Sequence, residues 1–102
     1  VDLTTSNTTT LYTVPSNSRA IVKSLLVAED AGTGAQITVT LVNASSDIFM
    51  LFSNKAVSGN ETLQLLTEPL IMLESEILKV KANNADKLHV IASILEINRE
   101  DR

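Results

Sequence analysis

The chain has no cysteine and no tryptophan, and its aromatic residues amount to one tyrosine and two phenylalanines. Without cysteine there is no disulfide framework and no thiolate metal site. So few aromatics leave no stacking platform for single-stranded nucleic acid. They also weaken the case for sugars, whose faces stack on Trp or Tyr. Basic charge is short too: eight Lys and Arg stand against twelve Asp and Glu, a net charge of −4. Free nucleic-acid binding needs a basic patch, so no direct nucleic-acid partner is expected. A single histidine, His89, rules out a His-rich metal site. No apolar run approaches the length of a membrane span, and no basic-then-apolar leader opens the chain. Neither a membrane partner nor a signal peptide is therefore expected.

What is present is 102 residues, 44% of them apolar. That is enough for one domain with a small core. The opening "VDLTTSNTTT" is rich in Thr, which favours strands and disfavours helix interiors. It reads as an extended arm or an ordered edge. "TLYTVP" is a short strand ended by Pro15. "RAIVKSLLVAED" is a long strand with apolar groups on both faces: Val22, Leu26 and Ala28 on one, Ile21, Leu25 and Val27 on the other. "DAGTGA" is a turn with two glycines to supply positive φ. "QITVTLVN" alternates, with Ile37, Val39 and Leu41 inward and Thr38 and Thr40 outward.

"IFMLFS" is a strand with bulk on both faces, and "NKAVSGN" a loop. "ETLQLL" sets Leu63 and Leu65 on one side. "LLTEPLIMLESEILKVKA" then packs an apolar run, an acidic corner and an alternating run into a short space, which two short strands joined at a tight corner explain. Pro69 begins the first, Glu74-Ser75-Glu76 turns the chain, and Leu78, Val80 and Ala82 face away from Lys79 and Lys81 in the second. "LHVIASILEI" is a long apolar closing strand, and "NREDR" a solvated tail. Strands at this spacing, with no helical stripe, define an all-β chain: a seven- to eight-stranded antiparallel β-sandwich, jelly-roll-like. Its divisions are an extended arm over residues 1–10, the sandwich over 11–97 and a charged tail over 98–102.

Chemistry is hard to find in this pattern. His89 lacks a placed nucleophile and orienting group, and reads as a residue at a face edge or subunit contact. Ser93 reads as a small buried hydroxyl bonded to backbone. Glu29 with Asp30, and Glu74 with Glu76, match no calcium loop and read as solvated strand-end carboxylates. No phosphate loop, nucleophile elbow or dinucleotide fingerprint occurs. No catalytic residue, cofactor or metal is therefore assigned, and no enzymatic activity is expected. What remains is a surplus of apolar strand faces over Ile21–Ala28, Ile48–Phe52 and Leu88–Ile97. Large exposed apolar patches are rare on monomers, so self-association is expected, with a closed trimer as the economical form. The contact residues expected on this reading are Leu3 and Tyr12 near the start, then Ile21, Leu25 and Val27. Phe49 and Leu51 in "IFMLFS" and Val90 and Ile94 on the closing strand complete them.

Three stretches carry a resemblance. Tyr12-Thr13-Val14-Pro15 leads to Val22-Lys23-Ser24; Pro69-Leu70-Ile71-Met72-Leu73-Glu74 leads to an acidic corner; and the last strand ends Ser93-Ile94-Leu95-Glu96-Ile97. Together they resemble small structural proteins of tailed bacteriophages, notably marine ones, over most of residues 8–97. The Gly-Asp corner of that family stands here as Ser75-Glu76. The resemblance implies a virion component, on the outer surface of the head or in the tail. A capsid decoration (cement) protein bound to the major capsid protein is the first expectation, with the Thr-rich arm as docking element. A tail, neck or fibre component is the alternative, and a carbohydrate- or receptor-binding sandwich a further one.

Overall fold

A computed structural model describes residues 2–3, 6–66, 68–84 and 86–98. They form nine strands in two antiparallel sheets, with no helix among the described residues. In chain order these are β1 (Asp2–Leu3), β2 (Thr9–Thr13), β3 (Ser18–Glu29), β4 (Ala35–Val42), β5 (Ile48–Val57), β6 (Thr62–Gln64), β7 (Leu70–Met72), β8 (Ile77–Ala82) and β9 (Leu88–Asn98). The first sheet runs β1-β9-β3-β6, with β7 also on β3; the second runs β2-β8-β4-β5. Eight of these strands answer to segments legible in the sequence, and the two-residue β1 is the addition. The expected all-β sandwich is the fold found.

Alternation decides which side chains make the core. Ile37 and Val39 on β4 and Leu78, Val80 and Ala82 on β8 are buried, and Leu41 packs beside them. From the facing sheet come Ala20, Val22, Leu25 and Val27 of β3 and Leu88 and Val90 of β9. Both halves of the "LLTEPLIMLESEILKVKA" stretch serve this core, through Leu65 and Met72 before the corner and Leu78 and Val80 after it.

Two local expectations change. The loop read at "NKAVSGN" is strand as far as Val57, because β5 is an edge strand and tolerates polar residues there. Its ladder with β4 slips twice, between Ile37 and Val39 and between Val39 and Thr40. The docking arm is also not a free segment over its described residues. Asp2 and Leu3 pair with His89 and Leu88, Leu3 is buried in the core, and Thr9 and Thr10 already belong to β2. The charged tail beyond Asn98 lies outside the described residues, while Asn98 itself pairs with Ser18.

Glu29 changes most. It ends β3 buried, at 2% exposure, and its carboxylate is saturated by loop amides. Gly32 and Asn60 donate to Oε1 at 2.9 and 3.0 Å, and Gly34 donates to Oε2 at 3.0 Å. The two glycines take the positive φ expected of them, 83° and 82°. The Glu29 amide in turn donates to the Glu61 carbonyl at 2.9 Å. One side chain thus ties the β3–β4 turn to the β5–β6 turn. The Asn60 amide, helped by those of Gly32 and Gly34, holds the Glu29 pKa below the ordinary glutamate value against the opposing effect of burial.

A depressed carboxylate pKa contributes stability that is present above the unfolded value, about 4.3, and lost as pH falls through the folded value. Glu29→Gln sets an NH2 group against an amide donor, so it should lower the melting temperature at neutral pH. It should also flatten the loss of stability on acidification. Thermal melts of both proteins from neutral pH to below pH 4 check this; an unchanged acid slope would refute the role given to Glu29.

Candidate assembly surfaces

The outer faces of the two sheets differ in where their apolar residues lie. On the second sheet, Thr38 lies opposite Lys81, and Lys79 lies between Thr40 and Thr10. Those rows are polar over β8 and β4, but the β5 end of the face is apolar: Met50 lies opposite Thr40, and Ile48 lies opposite Val42, which also pairs with Ile77. On the first sheet, Leu95 of β9, Ile21 of β3 and Ile71 of β7 form one row across three strands. Leu26 pairs with Ile91 in a further row, and Arg19 with Ile97. Ile71, Ile91, Leu95 and Ile97 are 65%, 61%, 43% and 47% exposed. A second apolar site lies on β5, where Ile48, Phe49 and Met50 are exposed at the rim of the second sheet.

A bulge in β3 creates the first of these faces. The β3–β9 register slips between Val22 and Ser24, leaving Lys23 as the extra residue. Inward positions are therefore Ser18, Ala20 and Val22 before the bulge and Leu25, Val27 and Glu29 after it. Outward positions change from Arg19 and Ile21 to Ser24, Leu26 and Ala28. Without the slip, Leu25 and Val27 would share a face with Ile21.

This corrects the face assignment made from simple alternation. Leu25 and Val27 are core residues, and so are Val90 and Leu3, so none of the four is presented to a partner by the folded sandwich. Ile94 faces inward opposite Val22 and packs half-buried against the core. Tyr12 and Leu51 are likewise half-buried against the core. Ile21 sits in the middle of the apolar face, and Phe49 stands exposed on β5. Sequence reasoning missed Leu26, Ile71, Ile91, Leu95 and Ile97. The signal available was the polar pair Lys23-Ser24, which interrupts an otherwise apolar strand where the alternation changes phase.

The three stretches behind the resemblance meet at one end of the sandwich. Val14 donates to the Glu76 carbonyl at 2.9 Å and accepts from the Ser75 amide at 3.0 Å. The Asn17 amide donates to Glu74 Oε2 at 2.7 Å. The Tyr12 hydroxyl, from the second sheet, donates to Glu96 Oε2 of the first at 2.6 Å. Burial, then this bond and the Glu96 charge, push the Tyr12 pKa up to about 12. At the corner itself Ser75 takes a φ of 69°, and the Glu76 carboxylate accepts from the Leu73 amide at 2.8 Å. Serine thus holds a left-handed conformation at the corner where the resembled family has glycine.

Residues weighed for chemistry are dispersed. His89 Nε2 lies 2.6 Å from Asp30 Oδ2 on the surface, an ion pair only when the imidazole is protonated. Ser93 is not the buried hydroxyl expected: it is exposed on the outer face opposite Ser24, because odd-numbered residues of β9 point away from the core. Glu29 is bound to loop amides rather than solvated, and Glu74 and Glu76 accept backbone bonds at their corner. Among the described residues no three His, Asp or Glu side chains are grouped to hold a metal. An open cleft of about 380 Å³ beside the corner is lined in part by Arg19, Asn43, Glu74 and Glu76.

No family model matches the chain, and no curated protein matches it. Among solved structures, one described as a pentameric capsid protein isolated from metagenomic phage sequences is similar, at 21% identity and a TM-score of 0.46. The match covers 96% of this chain and 58% of that one, so this chain spans less than two thirds of that protein's length. A likeness at that level does not establish a shared fold or role.

Two substitutions test the end cluster. Tyr12→Phe should cost about 1 kcal/mol at neutral pH, the scale of a partly exposed hydrogen bond to a charged group. A raised tyrosine pKa contributes stability that is complete below the ordinary value of 10.0 and lost as pH rises through about 12. The gap between wild type and Tyr12→Phe should therefore close over that range in denaturant titrations. Ser75→Gly should stabilise the fold by about 1 kcal/mol by removing the left-handed strain, read as a rise in denaturation midpoint at constant slope.

Proposed function

We propose that this chain is a non-enzymatic structural protein of a phage virion that acts as a homo-oligomer. Its first assignment is a capsid decoration protein, bound to the major capsid protein on the outer surface of the head. The observation that carries the assembly reading is the apolar row through Leu95, Ile21 and Ile71 on the outer face of the first sheet, with Ile48, Phe49 and Met50 exposed at the β5 edge of the second. A patch of that kind on a small domain marks a surface for protein contact. The virion assignment rests on the sequence resemblance, whose three stretches converge at one end of the fold.

The connectivity favours a jelly roll. β6 and β7 lie end to end along β3, on Leu26–Ala28 and Ala20–Val22 respectively, as two halves of one interrupted strand. Counted as one, they leave eight strands ordered 1-8-3-6 and 2-7-4-5. Jelly rolls serve in viral capsids and also in lectins and cupins, so the topology supports the reading without selecting it. In a decoration role many copies would bridge neighbouring capsid subunits, and modest affinity per copy would be multiplied by valency.

Copy number tests the assignment. In purified particles, quantitative mass spectrometry against the major capsid protein should find one copy, or a simple fraction such as a third, per capsid subunit. A ratio of a few per hundred would move the protein to the tail, neck or fibre. Absence from particles would overturn the virion reading.

A further inference from the structure

We propose that the apolar tip of β5 in one copy docks on the apolar outer face of the first sheet in the next, so that copies of this chain join head to tail. This rests on the self-association proposed above and adds which surface meets which. Ile48, Phe49 and Met50 are exposed on the outermost strand of the second sheet. Ile48 pairs with Val42 and Val42 with Ile77, so an apolar row runs from the tip across three strands of the outer face. The row of Ile21, Ile71 and Leu95 lies on the outer face of the other sheet, which points the opposite way. One copy cannot bring its own two apolar surfaces together, and a single contact between two copies buries both kinds.

The tip offers side chains, not a free ladder. The β4–β5 register is regular from Ile48 to Met50 and slips directly beyond, where Leu51 is the extra residue. Three residues bounded by a bulge make a poor template for strand addition. Ile48 and Met50 project on one side of the strand and Phe49 on the other. Bulk on both sides of an outermost strand forms a ridge.

The receiving face has the relief and the charge to match. Its apolar rows, Leu95 with Ile21 and Ile91 with Leu26, are separated by the pair Ser93 and Ser24. Small side chains between bulky rows leave a groove across β9 and β3. Lys23, the extra residue of the β3 bulge, is exposed beside Ser24, and Arg19 is exposed one row beyond Ile21. Neither makes a side-chain hydrogen bond or ion pair with another described residue. Asp47, directly before Ile48, is exposed and is the one carboxylate of the turn that carries the tip. An apolar ridge with an acid at its base thus fits an apolar groove flanked by two cations, and such complementarity fixes which surfaces meet. The occupant of the face is a second copy of this chain. Because the two surfaces differ, each copy gives a tip and receives one, and the contact repeats through three or more copies.

The test uses light-scattering mass on the purified chain and on two variants, Met50→Lys at the tip and Ile91→Lys on the face, both at exposed positions. Wild type should assemble beyond two copies. Each variant alone should associate about tenfold or more weakly, with a melting temperature close to that of wild type. Mixed in equal amounts, they should form a species of twice the chain mass and nothing larger, since one intact tip then meets one intact face. Asp47→Lys should also weaken assembly. If Met50→Lys assembles as wild type does while Ile91→Lys stays monomeric, the face pairs with itself; that overturns the head-to-tail contact and leaves self-association standing. A wild type that stops at two copies, or folded variants that fail to complement on mixing, would overturn it as well. A wild type that is monomeric throughout the micromolar range would overturn both.

Discussion

The register slip at Lys23 is the constraint on which the rest of this structure depends. β3 is the centre of its sheet and pairs with β9, β6 and β7. A strand has a period of two, so one extra residue exchanges its faces. Before the slip Ala20 and Val22 face inward; after it Leu25, Val27 and Glu29 do. An unslipped strand would keep Val22 in the core and bring Ser24, Leu26 and Ala28 with it. Leu25 and Val27 would then point outward, and Glu29 would swing away from the two turns it joins. The core, the apolar outer face and the buried carboxylate therefore share one local cause.

The sequence made the strands legible but not their phase. Alternation in β4 and β8 is clean, and Ile37, Val39, Leu78, Val80 and Ala82 are buried as expected. In β3 and β9 apolar residues occupy both parities, so periodicity alone does not separate core from surface. Ile21 and Phe49 are on exposed apolar sites, whereas Leu3, Leu25, Val27 and Val90 are enclosed. Whether a strand has a neighbour on each side is set by partners far along the chain, and no local pattern records it. Glu29 was illegible for a related reason. Its amide partners come from the adjacent turn and from Asn60, thirty-one positions away.

The end cluster shows a different division between what sequence and structure reveal. Val14, Glu74, Ser75 and Glu76 are recognisable as a pattern, yet nothing in the pattern says that they touch. The structure makes them one assembly of backbone hydrogen bonds, closed across the two sheets by Tyr12 and Glu96. These bonds hold the corner in place and tie the two sheets together at this end.

The arrangement of β1 and β9 has a mechanical consequence. The molecule is long, 49 Å against 23 and 20 Å, and β9 lies along β3 from Leu88 to Asn98. Tension applied along β9 loads that ladder in shear, with its hydrogen bonds resisting together. Tension that pulls on Asp2 meets a far shorter ladder among the described residues, two pairs with β9 and the Asp86-to-Leu3 hydrogen bond. The same small domain is therefore stiff to a pull taken up through its last strand and compliant to one taken up through its first.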